Sequence, residues 1–267
     1  MKPDNLPWWQ DQTSDAITQL AARDAVAILP LSAIEQHGPH LPLETDYRIG
    51  LGLLQAACAM LQDDVPLTVL PPMAVATSTE HTAFAGTLTL RPETALAALR
   101  DLGDSVARSD LRRLVIVNSH GGNTAICDLA GLELRRAHRM LVVKHHYFAQ
   151  PPPEALGIPP SELRHGLHGG LIETAMMRFL APEKVHLEAT TNALSLGARL
   201  ADELETLAPE GRASFAWMAG DLHPSGVVGD ARGATVEMGQ RLVEHYAAHL
   251  AATIRDSARF DRAYLAP

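Results

Sequence analysis

The chain has 267 residues, 46% of them hydrophobic and 20% charged, which is enough to bury a sizeable core and fits neither a disordered nor a fibrous protein. Its 22 Lys and Arg against 31 Asp and Glu leave a formal net charge of −9. That balance repels phosphate backbones, so neither nucleic acid nor an anionic membrane is expected as a partner.

Two cysteines, Cys58 and Cys127, form no CxxC pair. This excludes a thiolate zinc ribbon or a disulfide framework and fits a reducing compartment. The start is polar and acidic where a signal peptide would be basic and then apolar. No apolar run approaches the roughly 20 residues of a membrane span. A cytoplasmic protein is expected. The 13 histidines invite a search for metal-ligand spacing.

In chain order, the run at 25–31 (AVAILPL) reads as a buried strand. It leads into Glu35-Gln36-His37-Gly38-Pro39-His40 and on to Asp46. In extended backbone, residues i and i+2 point the same way, so Glu35 and His37 converge while Gln36 turns aside. Gly and Pro then force a loop that returns at Asp46, where a helix over 46–62 begins. Two carboxylates and an imidazole on one loop suit zinc, manganese or iron. Asp46 as a helix cap and His37 packed in a turn would explain each residue singly, but not the cluster.

Further strands are expected at 67–70 and 87–90. Between them, Thr77-Ser78-Thr79-Glu80-His81 suits either a pocket wall or a polar loop. Pro92 opens a helix over 92–108 with an apolar stripe through Leu96, Leu99, Leu102, Gly103 and Val106. The strand at 114–118 (LVIVN) is apolar on both faces. It delivers Asn118-Ser119-His120-Gly121-Gly122-Asn123 to the carboxyl edge where open α/β sheets bind ligands.

A helix at 123–138, with Asn123 as its expected cap, and a strand at 140–144 follow. The proline-rich stretch 150–160 is expected to be an irregular loop over the catalytic edge or a subunit contact. His168 then precedes a helix running to about Leu180 that carries Glu173, a residue that also suits capping. A turn at 226–233 with Asp230 as cap leads into the last helix, 231–256. Strands alternating with helices imply a mostly parallel sheet covered on both faces, within one domain spanning 1–267. No GxGxxG, GxxxxGK[ST] or GxSxG occurs.

Taken together, the segments from Glu35 to Pro42, Phe84 to Thr94, Asn118 to Asn123, His168 to Thr174 and the Gly229-Asp230 turn resemble the creatininase family in order and spacing, over roughly residues 15–255. The resemblance implies a three-layer α/β/α fold, one or two divalent ions, and hydrolysis of a cyclic-amide or formamide C–N bond by a metal-activated water. It also implies a homo-oligomer, often a hexamer. By the match, Glu35, His37, Asp46 and His120 are metal ligands, with Asp46 bridging two ions.

Creatinine-hydrolysing members carry a glutamate two residues after the histidine that matches His120. Gly122 stands there in this chain, and Glu173 is assigned the open ligand position. His168 is assigned the proton shuttle. The tryptophans that creatinine-specific members carry before the residue matching His168 are absent, since none lies between Trp9 and Trp217. This points away from creatinine itself. Related members deformylate a formamidopyrimidine or process the mycofactocin peptide. The remaining alternatives are a metal-dependent hydrolase of another bond class, such as a phosphoester, and a non-catalytic relative. Against the phosphoester, Arg48 is the only cation near the ligand loops.

Overall fold

Every residue of Val26–Leu31 and of Arg113–Asn118 is buried, and strands without a solvent face must be covered on both sides. They are β1 and β3 of the central sheet, which β2 (Leu67–Val69) and β4 (Leu141–His146) complete. All neighbouring pairs are parallel and the order is β2-β1-β3-β4. The structure is a computed structural model and describes residues 6–61 and 65–266.

The helices are α1 (Ser14–Ala22), α2 (Thr45–Met60), α3 (Pro92–Arg108), α4 (Thr124–His138), α5 (Pro160–His165), α6 (Leu171–Leu180), α7 (Leu196–Glu203), α8 (Ala219–Leu222) and α9 (Val236–Arg259). Ala27, Leu29 and Leu31 of β1 join Leu114 and Ile116 of β3 in a core shared with Leu99 of α3 and Leu134 of α4. The alternate residues, Val26, Ile28, Val115 and Val117, face Leu54 of α2 and Leu250 and Ile254 of α9. Each such aliphatic side chain contributes about 1.5–3 kcal/mol on burial. The result is the three-layer α/β/α arrangement with a mostly parallel sheet.

Outside the second layer, α6 packs on α2 and α9 through Ile49, Leu53, Met176, Leu242 and Tyr246. A Cβ on Gly239 would lie 1.8 Å from the Ala175 carbonyl oxygen, so α6 and α9 cross as closely as they do because residue 239 has no side chain.

Most expected elements lie where the sequence places them, with Pro92 at the start of α3 and Thr235 capping α9 through its hydroxyl. The last helix starts at Val236, after a 3₁₀ turn at Ala231–Gly233 that Asp230 caps. Gln62, the final residue expected in α2, lies outside the described residues, as do residues 1–5 of the polar start. The stretch 150–160 contains a 3₁₀ turn at Glu154–Leu156, and Pro160 opens α5.

Residues 87–90 are not a sheet strand. Leu88 N–H donates to Ile34 O and Leu90 N–H to Ala76 O, while Thr87 Oγ1 and Thr89 Oγ1 accept from the backbone of Gln36 and Ser78. The segment spends its hydrogen bonds bracing two loops instead of extending the sheet.

The crossover from β1 leads to β2 on one side, and β3 lies on the other. The carboxyl ends of β1 and β3 therefore flank a topological switch point, where open α/β sheets leave a crevice. The final register pair is Leu31 with Asn118, so the loops carrying Glu35 and His120 leave the sheet side by side.

Candidate metal centre

Beyond β1 the chain folds back on itself. Glu35 N–H donates to Leu43 O, and Thr45 N–H to Pro42 O. Glu35 and His37 are 0% exposed within this loop, and Asp46, in the first turn of α2, is 2% exposed. His120 follows β3, His168 precedes α6, and Glu173 lies in the first turn of α6.

The fold brings all six expected residues together. His37 Nε2 lies 3.4 Å from Asp46 Oδ1 and 3.9 Å from Glu173 Oε2. His120 presents Nδ1 to Asp46 Oδ2 at 3.3 Å and Nε2 to Glu35 Oε2 at 3.2 Å. His168 Nδ1 stands 3.6 Å from Glu35 Oε1. Asp46 thus faces His37 with one oxygen and His120 with the other. Glu173 does serve its helix as well, since Oε2 accepts the Gly169 N–H at 2.6 Å.

Three further residues enter the cluster. Glu80 Oε1 is 3.2 Å from His120 Nε2, and His81 Nε2 is 3.3 Å from Glu35 Oε1. Gln36, expected to turn aside, is the hub that ties these rings down. Its Oε1 accepts the Gly38 N–H, which fixes the amide orientation. Its Nε2 donates to Gly226 O at 2.8 Å and meets His81 Nδ1 at 2.7 Å. His81 Nδ1 is therefore the acceptor, and its Nε2–H points at Glu35. His168 Nε2 donates to Gln36 O at 2.7 Å, which leaves the Nδ1 lone pair facing inward. His37 Nδ1 likewise donates to Glu35 O at 3.1 Å, turning its Nε2 toward Asp46 and Glu173.

Whether these residues fit a cation can be judged from their unmet bonds. Glu35 Oε1 and Oε2, His37 Nε2, Asp46 Oδ2 and His120 Nε2 are buried with no hydrogen-bond partner. Buried polar atoms are nearly always paired, and converging lone pairs on carboxylates and imidazoles repel one another unless a positive charge sits between them. Three donor groups lie within metal-binding reach: Glu35, Glu80 and His120; His37, Asp46 and Glu173; and Glu35, His37 and His168. A mixed N/O set without thiolate suits zinc, manganese or iron(II). The residues fit.

The titration behaviour agrees. Burial pushes Glu35 up to about 8 against the pull of His120. Burial disfavours a charged His37, yet Asp46 and Glu173 together hold its proton up to about 9. Asp46, against its own burial, is held well below the carboxylate range by His37 and His120. His168 and His81 behave oppositely. Burial, with His37 and His81 adding to it, drives His168 well down, and burial brings His81 to about 4, so both rings are neutral.

Asn123 does not cap α4 with its side chain. Its Oδ1 accepts from Thr77 N–H and Oγ1–H, and its Nδ2 donates to Ser32 O and Asn118 Oδ1. It locks the 77–81 loop to the ends of β1 and β3.

A cavity of about 890 Å³ opens over the cluster, walled by Tyr147, Phe148, Pro151, Pro152, Leu163 and Trp217. Gln150, Pro151 and Pro152, at the start of the proline-rich stretch, therefore lie over the site. No Lys or Arg among the described residues lines this cavity; Arg48 is paired with Glu44 at 2.9 Å. Trp217 supplies an aromatic wall from a segment far from the loops that the sequence singled out.

The chain matches the creatininase family profile, described as creatinine amidohydrolase, over residues 10–254. It is 33% identical over 232 residues to a mycofactocin precursor peptide peptidase of Mycobacterium ulcerans (strain Agy99), covering 84% of this chain and 82% of that one. A creatinine amidohydrolase of Pseudomonas putida is 30% identical over 185 residues, 64% of this chain and 70% of the relative. Among solved structures, a creatinine amidohydrolase (creatininase) superposes with a TM-score of 0.77 at 25% identity, covering 97% of this chain and all of the other. A manganese form of creatininase gives 0.75 at 25% identity, covering 94% and 98%.

Proposed function

The chain belongs to the creatininase family of amidohydrolases, and from that premise we propose that it hydrolyses a C–N amide bond at a divalent-metal centre held by Glu35, His37, Asp46, His120 and Glu173. The observation that carries this reading is the set of buried, unpartnered donor atoms on Glu35, His37, Asp46 and His120.

When bound, a divalent cation polarises an amide carbonyl and brings a water's ionisation toward neutrality. The protein's own residues supply the rest. Asp46, with one oxygen on each side, is placed to bridge two positions. His81 turns its Nε2–H edge toward Glu35, 3.3 Å from Oε1. His168 is neutral, anchored by Nε2–H on Gln36 O, and offers its Nδ1 lone pair to the cluster. From there it accepts a proton from the attacking water and passes it to the departing nitrogen. Tyr147, Phe148 and Trp217 exclude water from the substrate's far side.

A cyclic amide or formamide is the substrate class we favour. A second reading, cleavage of an amide bond in a short peptide, draws support from the cavity: about 890 Å³ is near the top of the range for small-molecule sites. The absence of lining cations favours a neutral or cationic substrate over a phosphoester. A homo-oligomer, a hexamer by the family resemblance, and a cytoplasmic location are part of the same proposal. No helix among the described residues is long and apolar enough to cross a membrane.

The test is a panel of cyclic amides, N-formyl compounds and short peptides, assayed beside an aryl phosphate with zinc-, manganese- and iron-reconstituted protein. Amine release from an amide without phosphate release is the expected result. Phosphate release alone, or purified protein that takes up no metal, would overturn the reading.

A further inference from the structure

Position 122 has no side chain, and the space where one would begin is already taken. A Cβ on Gly122 would lie 2.4 Å from Glu80 Oε1, 2.5 Å from His120 Nε2 and 2.9 Å from Thr77 O. The Glu80 carboxylate thus reaches over the Gly122 α-carbon to the same ring nitrogen that faces Glu35.

That placement is built by the fold. Thr77 donates both its N–H and its hydroxyl to Asn123 Oδ1, and Ser78 N–H donates to Thr89 Oγ1. The 3₁₀ turn at Thr79–His81 is thereby fixed against the loop after β3. On the far side of the gap stand Glu35, with both oxygens unpartnered, and His120 Nε2, also unpartnered. They are 0% and 6% exposed. Glu35, Glu80 and His120 each present one donor atom, all within 4.8 Å of one another.

We propose that Glu80 is a ligand of the divalent cation at the Glu35–His120 position, delivered from the 79–81 turn across a residue 122 that is glycine to admit it. The inference rests on the metal-centre reading and adds a donor that the sequence assigned elsewhere. Glu173 faces His37 and Asp46, so it serves the neighbouring position and leaves Glu35 and His120 with only the second oxygen of Asp46 beside them. Glu80 completes that set.

The experiment uses full-length protein stripped of metal and titrated with Zn²⁺ and, separately, Co²⁺. Stoichiometry is read by elemental analysis, affinity by chelator competition, and coordination by the visible d–d bands of cobalt. Glu80→Gln keeps the side chain's shape and removes its charge; Glu210→Gln, which lines the same cavity but belongs to none of the donor groups, is the control for metal uptake. Glu80→Gln is expected to lose one ion per chain, or to bind it about 100-fold more weakly, with altered cobalt bands and an unchanged circular dichroism spectrum. Glu210→Gln should match the parent. Parental stoichiometry, affinity and cobalt bands in Glu80→Gln would overturn the role of Glu80. If the parent itself takes up neither metal, the metal-centre reading fails instead.

Discussion

Gln36 Nε2 lies 2.7 Å from His81 Nδ1, and this contact decides which edge of the His81 ring faces Glu35. Because the same amide is oriented by Gly38 N–H and Gly226 O, the His81 tautomer is set by backbone rather than by the ring itself. Replacing Gln36 with Leu should free His81 to exchange tautomers while leaving the donors of the metal cluster in place. Loss of such an orienting partner typically costs about 10- to 100-fold in activity or metal affinity. Imidazole ¹⁵N shifts of His81 should move toward a mixture of tautomers, and kcat should drop. A variant with parental shifts and kcat would show that Gln36 only fills space.

His120 and His168 stand in the same cluster yet do different work in the proposed scheme. His120→Ala should lose metal by elemental analysis. His168→Ala should retain metal and lose about 10²- to 10⁴-fold in turnover, the usual contribution of a positioned proton-transfer group. An empty site in His168→Ala would instead make His168 a ligand, through the Nδ1 that faces Glu35.

His145 offers a pH test away from the centre. It is 6% exposed in β4, with Nδ1 3.2 Å from Thr253 Oγ1. Burial, helped by His146 and His249, pushes its pKa from 6.5 down to about 4. The unfolded chain therefore binds a proton that the folded chain refuses between those two values, and stability falls as the pH drops through that window. The full depression corresponds to about 3 kcal/mol. His145→Gln removes this contribution, so its urea midpoint should depend less on pH between 6.5 and 4 than the parent's. Parallel curves would sink the assignment.

Trp217 is half-buried in the cavity wall, with Nε1–H donated to Pro209 O at 3.2 Å. It lines the cavity but belongs to none of the donor groups, so the role expected of it is in binding. Trp217→Ala should raise KM about tenfold with kcat nearly unchanged, the pattern of lost uniform binding. A fall in kcat at constant KM would contradict this.

What the sequence made legible follows from the range of the forces involved. β1 and β3 announce themselves because a doubly covered strand must be apolar throughout, and the histidine-bearing loops follow directly from their ends. The segment 87–90 has the same β-branched composition, but its partners are Ile34, Gln36, Ala76 and Ser78, which no local pattern reveals. Glu80 and His81 lay within a polar stretch that suited a pocket or a loop equally. Only the Thr77–Asn123 bonds, 46 residues apart in sequence, bring them to His120. Gln36 was read by strand alternation, which holds in a regular strand; past Leu31 the chain leaves the sheet, and the rule no longer fixes where the side chain points.

The donors also lie far apart along the chain: Glu35, His37 and Asp46 after the first strand, His120 after the third, and Glu173 in a helix beyond the fourth. During synthesis, Glu35, Glu80 and His120 have all emerged once the loop after β3 is made, whereas the His37, Asp46 and Glu173 group waits for α6 to dock against α2 and α9. On the proposed reading, filling of that second group would follow the long-range pairings that are slowest to form. A cation proposed for that position would then be drawn from the pool the finished fold meets, so the place of folding would help select the metal alongside the chemistry of the ligands.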